Sequence, residues 1–478
     1  MVFVSSNTPA NPISHFFIPQ TLCPPNLKRS LPSPPLALHS PIPQTAAQTI
    51  ALDSKLIVTG PSCLSGHVQI SGSKNAALAV LAGTLCCSSG TSLLRRMPDL
   101  YDTRTMVSIL RSVGAHVEVS DGEIAVNAEK IHSVEPCPGS VQKIRAGFFV
   151  LGPLVARFGE AVISLPGGCE IGARPVDLFL DGLQALGAAV KLRGLVGGRF
   201  HFSYPSVGAT ETLMMAASIA EGVTILTNVA QEPEVVDLAQ FLIAGGAIVE
   251  GAGTGKLVIK GSKCLHGAKF TIIPDRIEAG TLIVAAAITR SQISISPVIP
   301  HHLTCVMNKL VAAGCKIRDK GSVLEVHHQV SAVPSMVGGD LQGFHFRTCP
   351  YPGFPTDLQP QFMALLATCS GSCIVDETVF EARMSHVREL QKLGARIQVC
   401  GSSAIVHGKG GKGCRSAFRG SQVVAHDLRS GASLILAGMA AEGTTEIAGA
   451  AYIDRGYENL EMKLRGHLNS HILLALMA

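Results

Sequence analysis

An apolar segment of one kind recurs six times along the chain. Each copy starts with an Ala-rich stretch that is apolar nearly all round, passes through a turn of small residues and ends in a short β-branched run. A stretch that is apolar on every side predicts a helix buried inside a layer, and the β-branched run predicts a strand. The copies cover residues 76–94, 146–165, 212–229, 280–298, 362–379 and 432–450.

A second pattern follows the first five copies and predicts an amphipathic helix that ends at a glycine and leads directly into a strand. It consists of a leucine, three residues, a glycine, a small residue, one further residue and then Val or Ile. It occurs at Leu110-Gly114-Val117, Leu183-Gly187-Val190, Leu242-Gly246-Val249, Leu310-Gly314-Ile317 and Leu390-Gly394-Ile397. After the sixth copy the pattern begins at Leu464 and breaks at His467, so the sequence predicts an altered or missing last strand.

Each unit therefore contains two helices and at least two strands over roughly 70 residues, which is longer than the usual solenoid period. Alternating helices and strands predict the α/β class. Six units divide naturally into two domains of three.

The composition indicates a soluble globular protein of two or three domains. Of 478 residues, 47% are hydrophobic and 15% charged, and the formal net charge is +5. Because there is no run of Lys and Arg and only five tyrosines, we expect no nucleic-acid binding. The 14 cysteines are irregularly spaced without paired zinc-ligand motifs, so we expect no metal site and mostly buried thiols. Arg157 interrupts the longest apolar stretch, and no membrane span is predicted.

Residues 1–52 differ from the rest of the chain. They contain no Asp or Glu, ten prolines, and a single basic pair, Lys28-Arg29. An acid-free, Ser-rich leader is typical of an organelle transit peptide, and we expect it to be disordered. A disordered extension without a targeting role is the alternative.

Two segments carry candidate chemistry. Lys74 opens the first buried helix, where a cation can hold phosphate or carboxylate, although a solvated turn lysine with Asn75 as the cap explains it equally well. Residues 164–175 form a Gly- and Pro-rich loop around Cys169, and Arg174 precedes the next helix. A helix N-terminus and a cation lower the pKa of a thiol, which makes Cys169 a candidate proton donor or nucleophile. An unreactive loop cysteine is the alternative.

Four later segments place an acid and an arginine at a helix entrance. They are residues 354–359, 380–383, 426–429 and 452–457. A surface ion pair would explain each one alone. Equivalent corners of repeated units tend to face one place, however, and Arg145 occupies such a corner in the first half. Together these residues predict an anion-binding cleft between the halves.

Several of these segments resemble the UDP-N-acetylglucosamine 1-carboxyvinyltransferase (MurA) family. They are Lys74-Asn75, the Cys169 loop through Asp177, residues 206–210, 354–357, 427–429 and 454–457. The likeness runs from about Leu56 to Arg465. The sister family, EPSP synthase, shares the fold and phosphoenolpyruvate but lacks such a cysteine loop.

The resemblance implies a two-domain inside-out α/β barrel of six βαβαββ repeats, three per domain, with the active site in the cleft between the domains. Residues 53–72 and 278–478 would form the domain that contains both chain ends. Residues 73–276 would form an inserted domain that carries the Cys169 loop. The hinges would fall near Gly72-Ser73 and Pro274-Asp275.

The resemblance also implies transfer of enolpyruvyl from phosphoenolpyruvate to the 3-hydroxyl of UDP-N-acetylglucosamine, with release of phosphate. This is the first committed step of peptidoglycan precursor synthesis, and it needs no metal or organic cofactor. We expect a monomer whose partners are these two small molecules, without nucleic acid or membrane.

The residue roles follow from the same resemblance. Cys169 would be the proton donor and Asp357 the base or hydrogen-bond partner of the hydroxyl, and Lys74 and Arg455 would complete the catalytic set. Phosphoenolpyruvate would be held by Lys74, Arg145, Arg174, Arg429 and Arg455. The nucleotide sugar would be held by Asn75, Arg145, Arg174, Pro175, Val176, Asp177, Leu178, Ser206, Val207, Gly208, Asp357 and Val379.

Two alternatives stay open. An EPSP synthase-like enzyme acting on shikimate 3-phosphate also fits the plastid stroma, which is the address we expect from the leader. A non-catalytic homologue would account for the broken sixth unit and the divergent end at 467–478. Every catalytic position that can be matched is nevertheless retained.

Overall fold

The computed structural model describes residues 2–5, 54–168, 171, 176–188, 195–328, 341–409, 417–465 and 472–476. Its strands are β1 (Val2–Ser5), β2 (Ser54–Gly60), β3 (His67–Gln69), β4 (Cys87–Ser89), β5 (Thr91–Arg95), β6 (His116–Ser120), β7 (Glu123–Asn127), β8 (Glu160–Ile163), β9 (Arg199–His201), β10 (Val223–Thr227), β11 (Ile248–Glu250), β12 (Lys256–Lys260), β13 (Leu265–His266), β14 (Lys269–Thr271), β15 (Ile293–Ser296), β16 (Cys315–Asp319), β17 (Leu324–His328), β18 (Phe346–Arg347), β19 (Ser372–Asp376), β20 (Arg396–Cys400), β21 (Ser403–His407), β22 (Gln422–Val424), β23 (Gly443–Ala448) and β24 (Ile472–Leu476).

The α-helices in the same residues are α1 (Lys74–Gly83), α2 (Tyr101–Ser112), α3 (Pro138–Val141), α4 (Leu151–Phe158), α5 (Asp177–Ala185), α6 (Val207–Ile219), α7 (Pro233–Ala244), α8 (Arg276–Ile288), α9 (Thr304–Ala312), α10 (Gln359–Ala367), α11 (His386–Lys392), α12 (Leu428–Ala440) and α13 (Leu460–Arg465). The 3-10 helices are Thr84–Cys86, Arg145–Val150, Pro300–Leu303, Thr356–Leu358 and Ala450–Arg455.

The six predicted buried helices are confirmed as α1, α4, α6, α8, α10 and α12. In α8 every residue from Ile277 to Ile288 is buried, as expected for a helix that is apolar on all sides. Each of these helices leads into a strand of a sheet that packs outside it. The helices therefore form the inner layer and the sheets the outer one.

The glycine pattern is confirmed as a helix stop. All five marker glycines have a positive φ, between +96° and +106°. L-residues with a Cβ rarely adopt this conformation, so glycine ends each helix and turns the chain into the next strand. The predicted strand at Val190 lies outside the described residues.

The described strands include five four-stranded sheets of one design, and this repetition confirms the predicted fold class. Their orders are β14-β5-β7-β6, β11-β12-β10-β9, β16-β17-β15-β3, β18-β19-β21-β20 and β22-β23-β2-β24. Each sheet combines one parallel pair with two antiparallel pairs.

The chain ends meet in the last of these sheets. β2 pairs antiparallel with β23 on one side and with β24 on the other. A strand from the start of the chain thus takes the place that the unit's own last strand fills in the other sheets. The prediction that the strand after this pattern is missing is wrong, because β24 forms and pairs with β2; the alternative of an altered strand stays a prediction. The break itself, at 466–471, lies outside the described residues.

β1 is also a finding that the sequence did not predict. It pairs antiparallel with β8, from Val2 opposite Ile163 to Ser5 opposite Glu160. The expected disorder of the leader therefore does not hold for these four residues, whose backbone satisfies its hydrogen bonds along β8. For the rest of residues 1–52 that expectation stays a prediction.

The buried apolar residues form two clusters. One draws on residues 56–70 and 277–464, and we call this part of the molecule the terminal half. The other draws on residues 76–272, and we call it the inserted half. Gly72 and Pro274 form an antiparallel bridge where the chain passes between the halves. The domain bounds themselves, 53–72 with 278–478 and 73–276, stay a prediction.

Gly152 shows how closely the inner helices pack. A Cβ on Gly152 in α4 would lie 2.3 Å from the carbonyl oxygen of Thr212 in α6. We expect Gly152→Ala to lower the free energy of unfolding by about 1–3 kcal/mol, because the helices must separate. The matched control is Gly139→Ala in α3, where a Cβ meets nothing within 4 Å. It should change stability by less than about 1 kcal/mol, and urea denaturation of both variants tests the difference. Equal losses would contradict the close approach of α4 and α6.

Candidate active site

Asp102 holds two of the predicted site cations. Its Oδ2 atom lies 2.7 Å from Nζ of Lys74, and its Oδ1 atom accepts a hydrogen bond from Nε of Arg455 at 2.9 Å. Lys74 and Asp102 belong to the inserted half and Arg455 to the terminal half. One carboxylate therefore joins cations from both halves.

Lys74 is positioned by the start of α1. Ser73 caps the helix, with its Oγ accepting from the amide of Ala76, and the amide of Lys74 donates to Oδ2 of Asp275 at 3.0 Å. Only 6% of Lys74 is exposed. The alternative of a solvated turn lysine capped by Asn75 is therefore wrong. Asn75 is half-buried on the same turn.

Sequence reasoning did not identify Asp102. It lies in the first turn of α2, where acids are common because they favour the positive end of the helix dipole. Burial works to raise the pKa of Asp102, but the charges of Lys74 and Arg455 and their hydrogen bonds outweigh burial and hold that pKa below its usual value. Asp102 is therefore a permanent anion between two cations.

Asp357 is the centre of a second cluster of the same composition. Its Oδ1 atom lies 2.9 Å from Nη1 of Arg383, and its Oδ2 atom accepts from Nη2 of Arg429 at 3.0 Å. The arginine side chains are 5% and 2% exposed, so these contacts are not surface ion pairs. About a quarter of the Asp357 side chain, 25%, is exposed, which leaves it open to a ligand.

The ionisation of Asp357 limits what it can do chemically. Burial works to raise its pKa, but Arg429 and Arg383 overcome that effect by charge and by hydrogen bonding. They hold the pKa far below the usual range of an aspartate. Such a carboxylate is a weak base, so this arrangement favours the role of hydrogen-bond acceptor and orienting group over that of proton acceptor.

Arg429 belongs to the Asp357 cluster and packs against a residue near Arg455 in the chain. Its guanidinium carbon lies 5.1 Å from the centre of the Tyr457 ring, two residues after Arg455. Asp427 caps α12 and accepts from the amide of Arg429 at 2.8 Å. Within the described residues, Nε and Nη1 of Arg429 are buried and have no hydrogen-bond partner.

The charges explain what the arrangement can bind. Each of the two carboxylates is paired with two cations, so each cluster has one positive charge in excess. Fixed cations that are partly desolvated attract anions and stabilise negative charge that develops during a reaction. A small ligand that carries both phosphate and carboxylate suits such a site.

The other predicted site residues are placed as follows. Arg145 opens a 3-10 helix, and Nη2 of Arg455 donates to the carbonyl oxygen of Lys143 two residues earlier, at 3.1 Å. Ser206 caps α6, so Val207 and Gly208 form its first turn, and Val176 caps α5, whose first residues are Asp177 and Leu178. The amide of Val379 donates to Oε1 of Glu377 at 2.9 Å. Cys169, Arg174 and Pro175 lie outside the described residues.

Glu377 and Arg383 are further residues without an assigned role in the sequence interpretation. The Oε2 atom of Glu377 accepts from Oγ1 of Thr356 at 2.9 Å, and Thr356 accepts from Nη1 of Arg383 at 2.8 Å. Glu377 thus links Val379 to the Asp357 cluster. Arg383 lay in one of the four acid–arginine segments, which is the signal that could have identified it.

Comparison with known proteins identifies the family of this chain. The sequence model of the EPSP synthase (3-phosphoshikimate 1-carboxyvinyltransferase) family matches residues 58–464. The enolpyruvyl transferase NikO from Streptomyces tendae has a similar structure, with a TM-score of 0.77 and 26% identity over 88% of this chain and 99% of that one. EPSP synthase from Acinetobacter baumannii, with a TM-score of 0.66 and 19% identity, shares the fold. Fold and site thus define an enolpyruvyl transferase class.

Sequence relatives narrow this class. UDP-N-acetylglucosamine 1-carboxyvinyltransferase 2 from Carboxydothermus hydrogenoformans is 47% identical over 421 residues, which are 86% of this chain and 97% of that protein. UDP-N-acetylglucosamine 1-carboxyvinyltransferase from Synechocystis sp. is 43% identical over 88% of this chain and 96% of that protein. The chain belongs to the EPSP synthase family, and within it to the UDP-N-acetylglucosamine 1-carboxyvinyltransferases.

The Asp357 cluster predicts a pH-dependent loss of stability on mutation. Asp357→Asn leaves two buried arginines without their anion and should lower the free energy of unfolding by about 3–5 kcal/mol at pH 7. A folded-state pKa below the unfolded value of about 3.9 stabilises the fold above that pH, and this contribution is lost as the pH falls further. The difference between variant and wild type should therefore shrink below about pH 4 in urea denaturation. Glu123→Gln, which breaks the exposed pair with Arg95, should change stability by less than about 1 kcal/mol at any pH. If the loss of unfolding free energy in Asp357→Asn stayed constant down to pH 2, the pairing of Asp357 with the two arginines would be contradicted.

Proposed function

We propose that the protein transfers the enolpyruvyl group of phosphoenolpyruvate to the 3-hydroxyl of UDP-N-acetylglucosamine and releases phosphate, as a monomer without metal or organic cofactor. The observation that carries this proposal is the pair of carboxylates that each bind two cations, one of which joins cations from both halves. The printed names of the relatives supply the acceptor and the group that is transferred.

The reaction combines an addition with an elimination. The sugar hydroxyl oxygen forms a bond to C2 of phosphoenolpyruvate and its proton passes to the phosphate group, while C3 receives a proton, for which Cys169 is the proposed donor. The Cys169 thiolate then takes a proton back from C3 as the bond from C2 to the phosphate oxygen breaks, which yields the enol ether and free phosphate. Lys74, Arg145, Arg174, Arg429 and Arg455 would hold the phosphate and carboxylate groups and stabilise their charge in the intermediate.

Asp357 would orient the attacking hydroxyl. It is connected to Val379 through Arg383, Thr356 and Glu377. An ionised carboxylate accepts a hydrogen bond from the hydroxyl and directs its oxygen toward the enol carbon. The uridine diphosphate would contact the helix starts at Val176 and Ser206, where backbone amides favour anions.

The alternatives are less well supported. Transfer to shikimate 3-phosphate is suggested by the description of the family model, but the EPSP synthase structure is only 19% identical, whereas the sugar-nucleotide transferases reach 47%. A non-catalytic homologue was suggested by the broken sixth unit. The pairing of β24 with β2 removes part of that argument.

The acceptor can be identified with a phosphate-release assay. Purified protein should release phosphate from phosphoenolpyruvate only when UDP-N-acetylglucosamine is added, and shikimate 3-phosphate should give no release above background. Cys169→Ser should reduce the rate by at least about 10²-fold, because the proton donor is lost. Release with shikimate 3-phosphate instead would favour the EPSP synthase-like alternative. A folded protein without turnover on either acceptor would favour the non-catalytic homologue.

We also propose that residues 1–52 direct the protein to the plastid stroma. The proposal is supported by the absence of Asp and Glu and by the single basic pair in this stretch. None of the helices that the structure describes combines the length and apolar character needed to cross a bilayer.

A fluorescent protein fused to residues 1–52 should enter isolated plastids and be shortened there. The control is the same fusion with Lys28 and Arg29 changed to Glu, which should not be imported. No import of the unchanged fusion, or equal import of both fusions, would contradict the targeting role.

A further inference from the structure

Two short segments from different halves meet at both of their ends. Nε of Arg455 donates to Oδ1 of Asp102 at 2.9 Å, and the amide of Asp99 donates to Oε1 of Glu458 at 2.8 Å. In each segment the two contacting residues are three positions apart. The segment 455–458 of the terminal half is therefore held to the segment 99–102 of the inserted half at two points.

Tyr457 fixes the middle of the first segment to the terminal half. It is 1% exposed, and its hydroxyl lies 2.9 Å from Oγ1 of Thr281 in α8 and 2.9 Å from Nε2 of Gln361 in α10. The segment therefore cannot follow the inserted half independently if the halves separate. Separation of the halves must break the contacts of Arg455 and Glu458 together.

The second oxygen of Glu458 joins a ring of polar groups at the hinge. Oγ of Ser71 donates to Oε2 of Glu458 and accepts from Nζ of Lys463 at 2.7 Å. Lys463 also pairs with Glu278, whose Oε2 atom accepts from the amide of Ser71 at 2.8 Å. Ser71 and Glu278 flank the two places where the chain crosses between the halves. The carboxylate of Glu458 is thus oriented by the hinge itself.

We propose that Glu458 is a positioning residue that holds the halves in the arrangement in which Arg455 reaches Asp102. The proposal rests on the proposed function, because Arg455 is assigned there to phosphoenolpyruvate. Without Glu458, Arg455 keeps only its own contacts across the cleft, and the arrangement that binds phosphoenolpyruvate becomes less populated. The apparent affinity for that substrate falls by the same fraction.

The test combines kinetics with hydrogen exchange. Glu458→Ala should raise KM for phosphoenolpyruvate about tenfold and change kcat by less than about threefold, as expected for the loss of one charge-assisted hydrogen bond. The backbone amide of Asp99 should exchange with deuterium about tenfold faster. Glu458→Gln keeps an acceptor oxygen for the Asp99 amide and should recover most of the affinity. Glu458 is half-buried, so the variants are expected to fold, and thermal melting checks this.

The matched control is Glu446→Ala on β23, whose carboxylate pairs with Lys55 at 3.7 Å on the outer sheet. It should leave KM, kcat and exchange at Asp99 unchanged. A KM within twofold of wild type for Glu458→Ala would overturn the proposal, as would an unchanged exchange rate at Asp99. Absence of turnover in the wild-type protein would instead contradict the proposed function, and the exchange measurement would still decide whether Glu458 holds the segment.

Discussion

The carboxylate of Asp275 fixes the starts of two buried helices that belong to different halves of the molecule. Its Oδ1 atom accepts from the amides of Ile277 and Glu278 and so caps α8, while its Oδ2 atom accepts from the amide of Lys74 at the start of α1. The two crossing segments bond to each other directly beside it, from the amide of Ser73 to the carbonyl oxygen of Ile273 at 2.7 Å. Space at this point is so small that a Cβ on Gly72 would lie 1.8 Å from the carbonyl oxygen of Arg96. Hinge, helix starts and the position of Lys74 are therefore one structural unit.

The pairing of the site charges depends on this arrangement at the hinge, because the charged groups come from both halves. Lys74 and Asp102 are held by the inserted half, whereas Arg455 and the Asp357 cluster are held by the terminal half. Neither half alone places a carboxylate between Lys74 and Arg455. A rigid-body movement about the crossing segments would change these pairings and the local concentration of positive charge together. The ring of polar groups at Ser71 contributes to this coupling, because the ring lies between the hinge and the segment that carries Arg455.

The repeated unit explains how residues from distant parts of the sequence come together. Asp427, Asp275 and Ser73 cap three of the buried helices. The starts of α8 and α1 lie close together although they are far apart in sequence, because Asp275 also accepts from the amide of Lys74. In the sheet β22-β23-β2-β24 the two ends of the chain meet, because β2 pairs with β23 on one side and with β24 on the other.

The local structure and much of the fold class can be predicted from the order of the residues alone. The apolar segments, the glycine stops and the repeated order of helix and strand act over neighbouring residues, so their periodicity predicts them directly. Resemblance to a family then named Lys74, Asp357, Arg429 and Arg455, which the structure brings into two clusters. The tertiary structure decided which charges pair. Asp102 and Glu458 carried no distinguishing signal, since their partners Arg455 and Asp99 are separated from them by more than 300 residues. The formation of β24 also depends on tertiary structure, because its hydrogen bonds come from β2 near the other end of the chain. A pattern of neighbouring residues cannot predict so distant a partner.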